Sequence, residues 1–295
     1  MDRRTGGLLV CLKPEGPSSH HAVERVKRAL GAQRAGHAGT LDPAASGVLL
    51  VGLNRATRLL EYLAGHDKTY RAVLRLGEVR DTLDRTGALL EQSPVPDLDV
   101  PRVRAVLGRF TGRIRQVPPA YSAIKVGGER LYRRARRGER VDPPARWVTI
   151  RALDLLRLDP PEVEIRVVCS AGTYVRALAR DVGEALGCGA VLWRLERIRS
   201  GPFGLVHAVP LETVEAEGPD AWERVLPPTR MLQGMPRADV DAPTAADLAH
   251  GRPVPWRGEP LVGPVAVCGP GGELVAVGRV EAGRLRPAKV LRPAG

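Results

Sequence analysis

The segment Gly36-His37-Ala38-Gly39-Thr40-Leu41-Asp42-Pro43-Ala44-Ala45-Ser46-Gly47 constrains this chain more than any other. Three glycines flank a Thr-Leu-Asp-Pro step that leads into the apolar run Val48-Leu49-Leu50-Val51. Glycine permits tight bends and close approach of a second backbone, and a residue before proline is biased towards extended geometry. Asp42 is therefore held on a constrained turn beside a short strand. It is either a helix N-cap, with Pro43 at the first helical position, or a working carboxylate. From this stretch alone the cap is the simpler reading.

The chain has 295 residues, which predicts one large domain and a smaller one. No apolar run reaches the roughly 18 residues of a membrane span. The start, Met1 to Gly7, lacks the apolar segment of a signal peptide, so the expected location is cytoplasmic. Cys11, Cys169, Cys188 and Cys268 are far apart with no C-x-x-C pair, and the histidines show no His-x-x-x-His. Inert buried thiols and no metal site are expected.

Charge narrows the partner. Forty-five basic residues against 33 acidic ones give a net charge of +12, which suits a polyanion such as nucleic acid. The excess is concentrated between residues 118 and 151. There, Lys125, Arg130, Arg133, Arg134, Arg136, Arg137, Arg140, Arg146 and Arg151 face only Glu129, Glu139 and Asp142. A solvated basic loop is the bland account. The clustering, the flanking prolines and the aromatics Tyr121 and Tyr132 favour an RNA-binding excursion from the core.

Periodicity places the remaining elements. Leu8 to Leu12 reads as a strand, and Ser18 or Ser19 caps a helix ending near Gly31. Asn54 is placed to cap a helix carrying Leu59, Leu60 and Leu63. Lys68 to Leu76 alternates, with Tyr70, Ala72, Leu74 and Leu76 on one face. Residues 77–87 read as a polar loop rich in carboxylates. Asp99 and Pro101 start a helix with Val103, Val106, Leu107 and Phe110 on one side. Trp147 to Leu158 and Glu162 to Cys169 are strands joined at Asp159-Pro160-Pro161. The helix after Thr173 buries Val175, Leu178, Val182 and Leu186, with Arg176, Arg180 and Glu184 on its other face as an exposed charge ladder. A β-rich tail is expected from about residue 237, giving domains 1–236 and 237–295.

The sequence contains neither a P-loop nor a nucleophile elbow, and no convincing G-x-G-x-x-G. What remains is a carboxylate in a glycine-rich turn, Tyr70 on a strand, Arg176 near a helix start and a basic surface. A carboxylate can act as nucleophile or proton acceptor, and a guanidinium beside it favours its ionised form.

In their order, the motifs Lys13-Pro14-x-Gly16, the Gly36–Gly47 block, Lys68-x-Tyr70 and Pro118-Pro119-x-Tyr121-Ser122-Ala123-x-Lys125 resemble the TruB family of tRNA pseudouridine synthases. Cys169-Ser170-x-Gly172-Thr173-Tyr174-x-Arg176 and the block from Asp181 to Ala190 extend the resemblance, which covers residues 7 to 205. It implies an α+β pseudouridine synthase fold with a mixed, largely antiparallel sheet and a small β-rich PUA-like C-terminal domain. It implies isomerisation of the T-loop uridine at tRNA position 55, by base flipping and without a cofactor. Asp42 would be the catalytic carboxylate and Arg176 its ion-pair partner. Tyr70 would pack on the base, and His37 would fill the gap left by the flipped nucleotide. Tyr174 and Leu195 would touch the uridine, while Lys13 and Pro14 would buttress the site. Residues 118–151, with Lys125, Arg130, Arg133, Arg134, Arg136 and Arg137, resemble an RNA-clamping insertion. The implied partner is the tRNA T-arm, with no metal, membrane or obligate protein partner.

The sequence departs from the family pattern at Arg80, Glu196 and Ser18, none of them at the implied chemistry. Three rival readings stand beside it. One is an RNA-binding or tRNA-folding protein with an idle site. Another is a glycosidase using Asp81 and Asp84. The third is a guide-RNA-dependent, dyskerin-like synthase.

Overall fold

Period-two patterns form the strands and 3.6-residue patterns the helices of this chain, whose computed structural model describes residues 3–120, 125–126, 129–130, 137 and 143–291. Two compact units result. One comprises Asp42–Val48 and Gly65–Leu205, the other Met1–Leu41, Leu49–Ala64 and Val206–Gly295.

The first unit is built on a mixed, largely antiparallel sheet. Its strand order begins with the first part of Ala45–Leu53, then Ala190–Ser200, Lys68–Leu76, Glu162–Cys169, Arg146–Asp159 and Gly112–Gln116. The first pair is parallel, with Leu195 opposite Ala45 and Arg197 opposite Gly47, and the others are antiparallel. Alternation is kept: Tyr70, Ala72, Leu74 and Leu76 are buried, as are Val163, Ile165 and Val167. Each larger aliphatic side chain contributes about 1.5–3 kcal/mol by leaving water. The Val175–Leu186 helix packs on the Ala190–Ser200 strand, and the Val100–Gly108 helix packs on Arg146–Asp159. Asp99 caps the latter by accepting from the Arg102 N–H, as its sequence predicts.

In the second unit, Leu8–Lys13 runs parallel to Val209–Pro210, and Ala35–Ala38 pairs antiparallel with the end of Ala45–Leu53. The Ser19–Ala29 helix, capped by Ser18, closes a core of Leu9, Val23, Val26, Leu49, Val51 and Trp222. The C-terminal stretch forms a five-stranded sheet with the Ala242–Ala249 helix over its own core, including Val265, Val267, Val275 and Leu285. Arg58 donates to the Val290 carbonyl at 2.7 Å and Lys289 to the Arg58 carbonyl at 2.9 Å, tying that sheet to the Asn54–Ala64 stretch. All four cysteines are buried and free. Burial pushes the Cys11 thiol up to about 12 and the Cys169 thiol to about 11.

Two local expectations are corrected. No helix starts at Asp42. The chain turns over Pro43 and Ala44, the Ala45 N–H bonds to the Asp42 carbonyl at 3.0 Å, and a strand begins at Ala45. A parallel neighbour offering a ladder at Leu195–Arg197 outweighs the local preference for a helix start. Asn54 does not cap the following helix with its side chain either. With φ of +51°, it directs Oδ1 to the Gln33 and Arg34 N–H groups, and a 3-10 turn (Asn54–Leu59) precedes the Leu60–Ala64 helix.

Gly183 marks the contact between the Val175–Leu186 helix and the strand after it. A Cβ there would lie 2.1 Å from the Ala190 backbone nitrogen. Alanine normally gains about 1 kcal/mol over glycine in a helix, but overpacking reverses the sign. Gly183→Ala lowers stability by about 1–3 kcal/mol, measured as a lower urea midpoint at constant m-value; an unchanged or higher midpoint refutes this packing.

Candidate active site

The chain on each side of Asp42 is held within its own unit. Before it, the buried Ser19 hydroxyl donates to the Leu41 carbonyl at 2.8 Å and accepts from the Leu41 N–H at 2.7 Å. After it, residues 45–47 pair with Leu195–Arg197, and Arg197 Nε donates to the Val48 carbonyl at 2.7 Å. Gly47 has φ of +112°, and a Cβ there would meet the Arg197 carbonyl oxygen at 2.3 Å. Only glycine allows the two backbones this close.

Arg176 reaches Asp42 from the first turn of the Val175–Leu186 helix. Its Nε lies 3.0 Å from Asp42 Oδ2, off the N–H axis, so the contact is an ion pair and not a straight hydrogen bond. Nη1 donates to the Thr82 carbonyl at 3.0 Å and to Asp84 Oδ2 at 3.3 Å. The other Asp84 oxygen accepts from Thr82 Oγ1 at 2.8 Å, Thr86 Oγ1 at 2.6 Å and the Thr86 N–H at 3.0 Å. The 80s loop thus fixes Asp84, Asp84 fixes Arg176, and Arg176 orients Asp42. The Arg176 side chain is 7% exposed, whereas that of Asp42 is 40% exposed. An open carboxylate held by a buried cation is suited to attack an electrophilic carbon or accept a proton.

The exposed Arg176–Arg180–Glu184 ladder is therefore corrected at its first rung. Arg176 is buried against Asp84, while Arg180 pairs with Asp181 at 2.6 Å and lies 3.8 Å from Glu184. The glycosidase role that the sequence suggests for Asp84 is replaced by a structural one, support of Arg176. The signal for its true contacts was Thr82-Leu83-Asp84-Arg85-Thr86, hydroxyls spaced to cradle one carboxylate. Asp81 is exposed and accepts from the Ala88 N–H at 2.8 Å, which leaves it outside the pocket.

That pocket is a shallow, partly open cleft lined by Asp42, Asp84, Arg176, Trp193 and Leu195, among others. Tyr70 is buried opposite Arg197 and hydrogen-bonded to it. Burial raises the phenol's pKa above the ordinary tyrosine value, and Asp42's charge adds to the rise. Tyr70 and Tyr174 do not line the pocket. The Tyr174 backbone is pinned by the fully buried Gln116, whose amide accepts from its N–H at 2.8 Å and donates to its carbonyl at 3.1 Å. The sequence marks Ser19 only as a candidate helix cap and gives no signal for Gln116.

His37 belongs to the other unit, half-buried on Ala35–Ala38 opposite Val51. Lys13 and Pro14 lie there too. The buried Lys13 ammonium donates to the Pro14 and Pro17 carbonyls, both at 2.8 Å. Lys125 and Arg130 sit on short paired strands. Their side chains, and Arg133, Arg134 and Arg136 entirely, lie outside the described residues; Arg137 is exposed. Among the described residues no three His, Cys, Asp or Glu side chains converge as metal ligands, and no helix is long and apolar enough to cross a membrane.

Residues 27–175 match the family model described as TruB family pseudouridylate synthase (N terminal domain). Residues 176–232 match the tRNA pseudouridylate synthase B C-terminal domain, and 235–292 match tRNA Pseudouridine synthase II, C terminal. The chain is 43% identical to tRNA pseudouridine synthase B of Ralstonia nicotianae, over 98% of this chain and 95% of that one. It is 44% identical to the protein of the same name from Gloeobacter violaceus, over 97% and 98%. Among solved structures, a chain of a Cbf5-Nop10-Gar1 complex superposes with a TM-score of 0.74 at 27% identity, over 99% of this chain and 87% of that one.

Exposure separates the two carboxylates energetically. Asp84→Ala strands a buried guanidinium and two hydroxyls, which costs about 3–5 kcal/mol. Asp42→Ala removes a half-exposed partner and changes stability by less than about 1 kcal/mol. Urea unfolding of both variants checks this, and equal losses would contradict the order of support described above.

Proposed function

The chain belongs to the TruB family of pseudouridylate synthases, and we propose that it converts the T-loop uridine at position 55 of tRNA to pseudouridine without a cofactor. The observation that carries this reading is the half-exposed Asp42 carboxylate held by the buried Arg176–Asp84 pair at one pocket. In the isomerisation the bond from C1′ to N1 breaks and one from C1′ to C5 forms. N1 gains a proton and C5 loses one, so no net redox change or external group is required. Asp42 acts at the glycosidic centre, with Arg176 setting its orientation. Tyr70 packs on the base and assists transfer of the C5 proton.

The reacting atoms are inaccessible in a stacked loop, so the uridine is flipped out, at a cost of roughly a few kcal/mol. His37 fills the gap in the RNA, and Tyr174 and Leu195 contact the flipped base. Lys125, Arg130, Arg133, Arg134, Arg136 and Arg137 provide the electrostatic hold on the T-arm. Residues 237–295 form a PUA-like RNA-binding domain, and Lys13 and Pro14 support the site. The protein acts alone in the cytoplasm. A guide-RNA-dependent role is not favoured, because the curated relatives named tRNA pseudouridine synthase B are far more similar than the Cbf5 chain.

Unmodified tRNA tritiated at uridine C5 tests this directly. Wild-type protein alone releases tritium, and Asp42→Asn lowers the rate by at least about 100-fold while still binding the RNA. Absence of release from wild type would sink the stand-alone synthase, and full release from Asp42→Asn would remove Asp42 from the chemistry while sparing the reaction.

A further inference from the structure

Arg146 opens the Arg146–Asp159 strand directly opposite Gln116. Its guanidinium lies 4.7 Å from the centre of the Tyr174 ring, in a cation–π contact. Beside it runs Gly172, at φ of +83°, where a Cβ would stand 3.6 Å from Nη1. Two of its nitrogens, Nε and Nη2, are shielded from water and donate to no partner among the described residues. No carboxylate lies within ion-pair distance of it among the described residues either. Arg176 and Arg180, by contrast, have carboxylates, and Arg197 has the Val48 carbonyl.

An unpaired guanidinium out of water is costly, and the cost is relieved when an anion takes the vacant N–H groups. Stacking occupies a face of the guanidinium, so an anion that reaches Nε and Nη2 approaches in the plane and displaces what now covers that edge. That edge is a fork whose spacing matches two oxygens of a phosphate. Arg146 as a whole is half-buried, so the group sits at a rim and not in the core. Tyr174 is two residues from Arg176, its backbone is pinned by Gln116, and it is one of the residues proposed above to touch the flipped base. The anion that a substrate RNA carries to such a place is the phosphate bordering the flipped nucleotide.

We propose that Arg146 is a phosphate-binding residue for the substrate RNA: its N–H edge takes a backbone phosphate adjacent to the target uridine, with Tyr174 as its stacking platform. This rests on the RNA-modifying reading of the site. Because one guanidinium meets both groups, docking of the phosphate also fixes the Tyr174 ring. Arg146 therefore couples placement of the strand to the orientation of the Tyr174 ring.

The test uses the full-length protein and T-arm stem-loop RNAs carrying a single methylphosphonate, an uncharged linkage, either 5′ or 3′ of the target uridine. Wild type is expected to lose about 10-fold or more in affinity at one of the two linkages. Arg146→Met is expected to bind unmodified RNA correspondingly more weakly and to lose nothing further on that methylphosphonate RNA. Its plot of log affinity against log salt is shallower by about 0.7, the share of one phosphate on a single strand. Arg146→Lys, which keeps the charge and loses the fork, recovers the salt slope but only part of the affinity. Thermal melting of each variant confirms folding. Equal sensitivity of wild type and Arg146→Met to both linkages, or an unchanged salt slope with only turnover reduced, overturns the proposal and leaves Arg146 as a support for Tyr174. The synthase reading survives that result, because wild-type tritium release is measured in parallel. Failure of wild type to bind the stem-loop removes both.

Discussion

A guanidinium shared between two carboxylates of unequal exposure governs this site. Arg176 has nearly all of its surface out of water, and such a cation is tolerated only where charge and hydrogen bonds surround it. Asp84 and the Thr82 carbonyl meet that requirement from a loop whose own threonines saturate the far side of Asp84. With the cation satisfied from within, its remaining contact is available to orient Asp42, which stays open to the pocket. The buried half of the network supplies rigidity, and the open half supplies chemistry.

Backbone clamps complete the geometry. Ser19 holds Leu41 by both its N–H and its carbonyl, and Arg197 holds Val48. The Asp42 turn is laid against Leu195–Arg197 in a parallel register that glycine at position 47 alone permits. Arg197 also bonds to Tyr70, so one buried side chain serves both the end of the Asp42 segment and the phenol. Gln116 performs the corresponding task for Tyr174 by mimicking a strand partner with its side-chain amide. Catalytic groups that must be placed within fractions of an ångström are best supported by such neighbours with locked rotamers.

Much of the fold was legible in the sequence because burial leaves a periodic trace. The alternation through Lys68–Leu76 and Glu162–Cys169, the caps at Ser18 and Asp99 and the β-rich tail all follow from local pattern. Errors fell where a tertiary partner outweighed local preference. Asp42-Pro43 has the chemistry of a helix start, but a neighbouring strand captured the residues that follow. Asn54 has the chemistry of a cap, but its amide was claimed by the backbone of Gln33 and Arg34. Arg176 lies on the polar side of its helix by sequence, yet a loop some 90 residues away in the chain brings a carboxylate over it.

The sequence by itself determined the family, the pairing of Asp42 with Arg176 as the residues to watch, the basic character of the 118–151 segment and the mixed, largely antiparallel β architecture. Motif order and hydrophobic period are properties of the linear chain, so they can be read there. Only the tertiary structure decided that Asp84 stands behind Arg176, that Arg197 and Gln116 hold the backbone at Val48 and Tyr174, and that two Arg146 nitrogens beside Tyr174 find no partner among the described residues. Those facts depend on which distant side chains share a space. Electrostatic energy and hydrogen bonding vary over ångströms, and separation along a sequence does not encode ångströms.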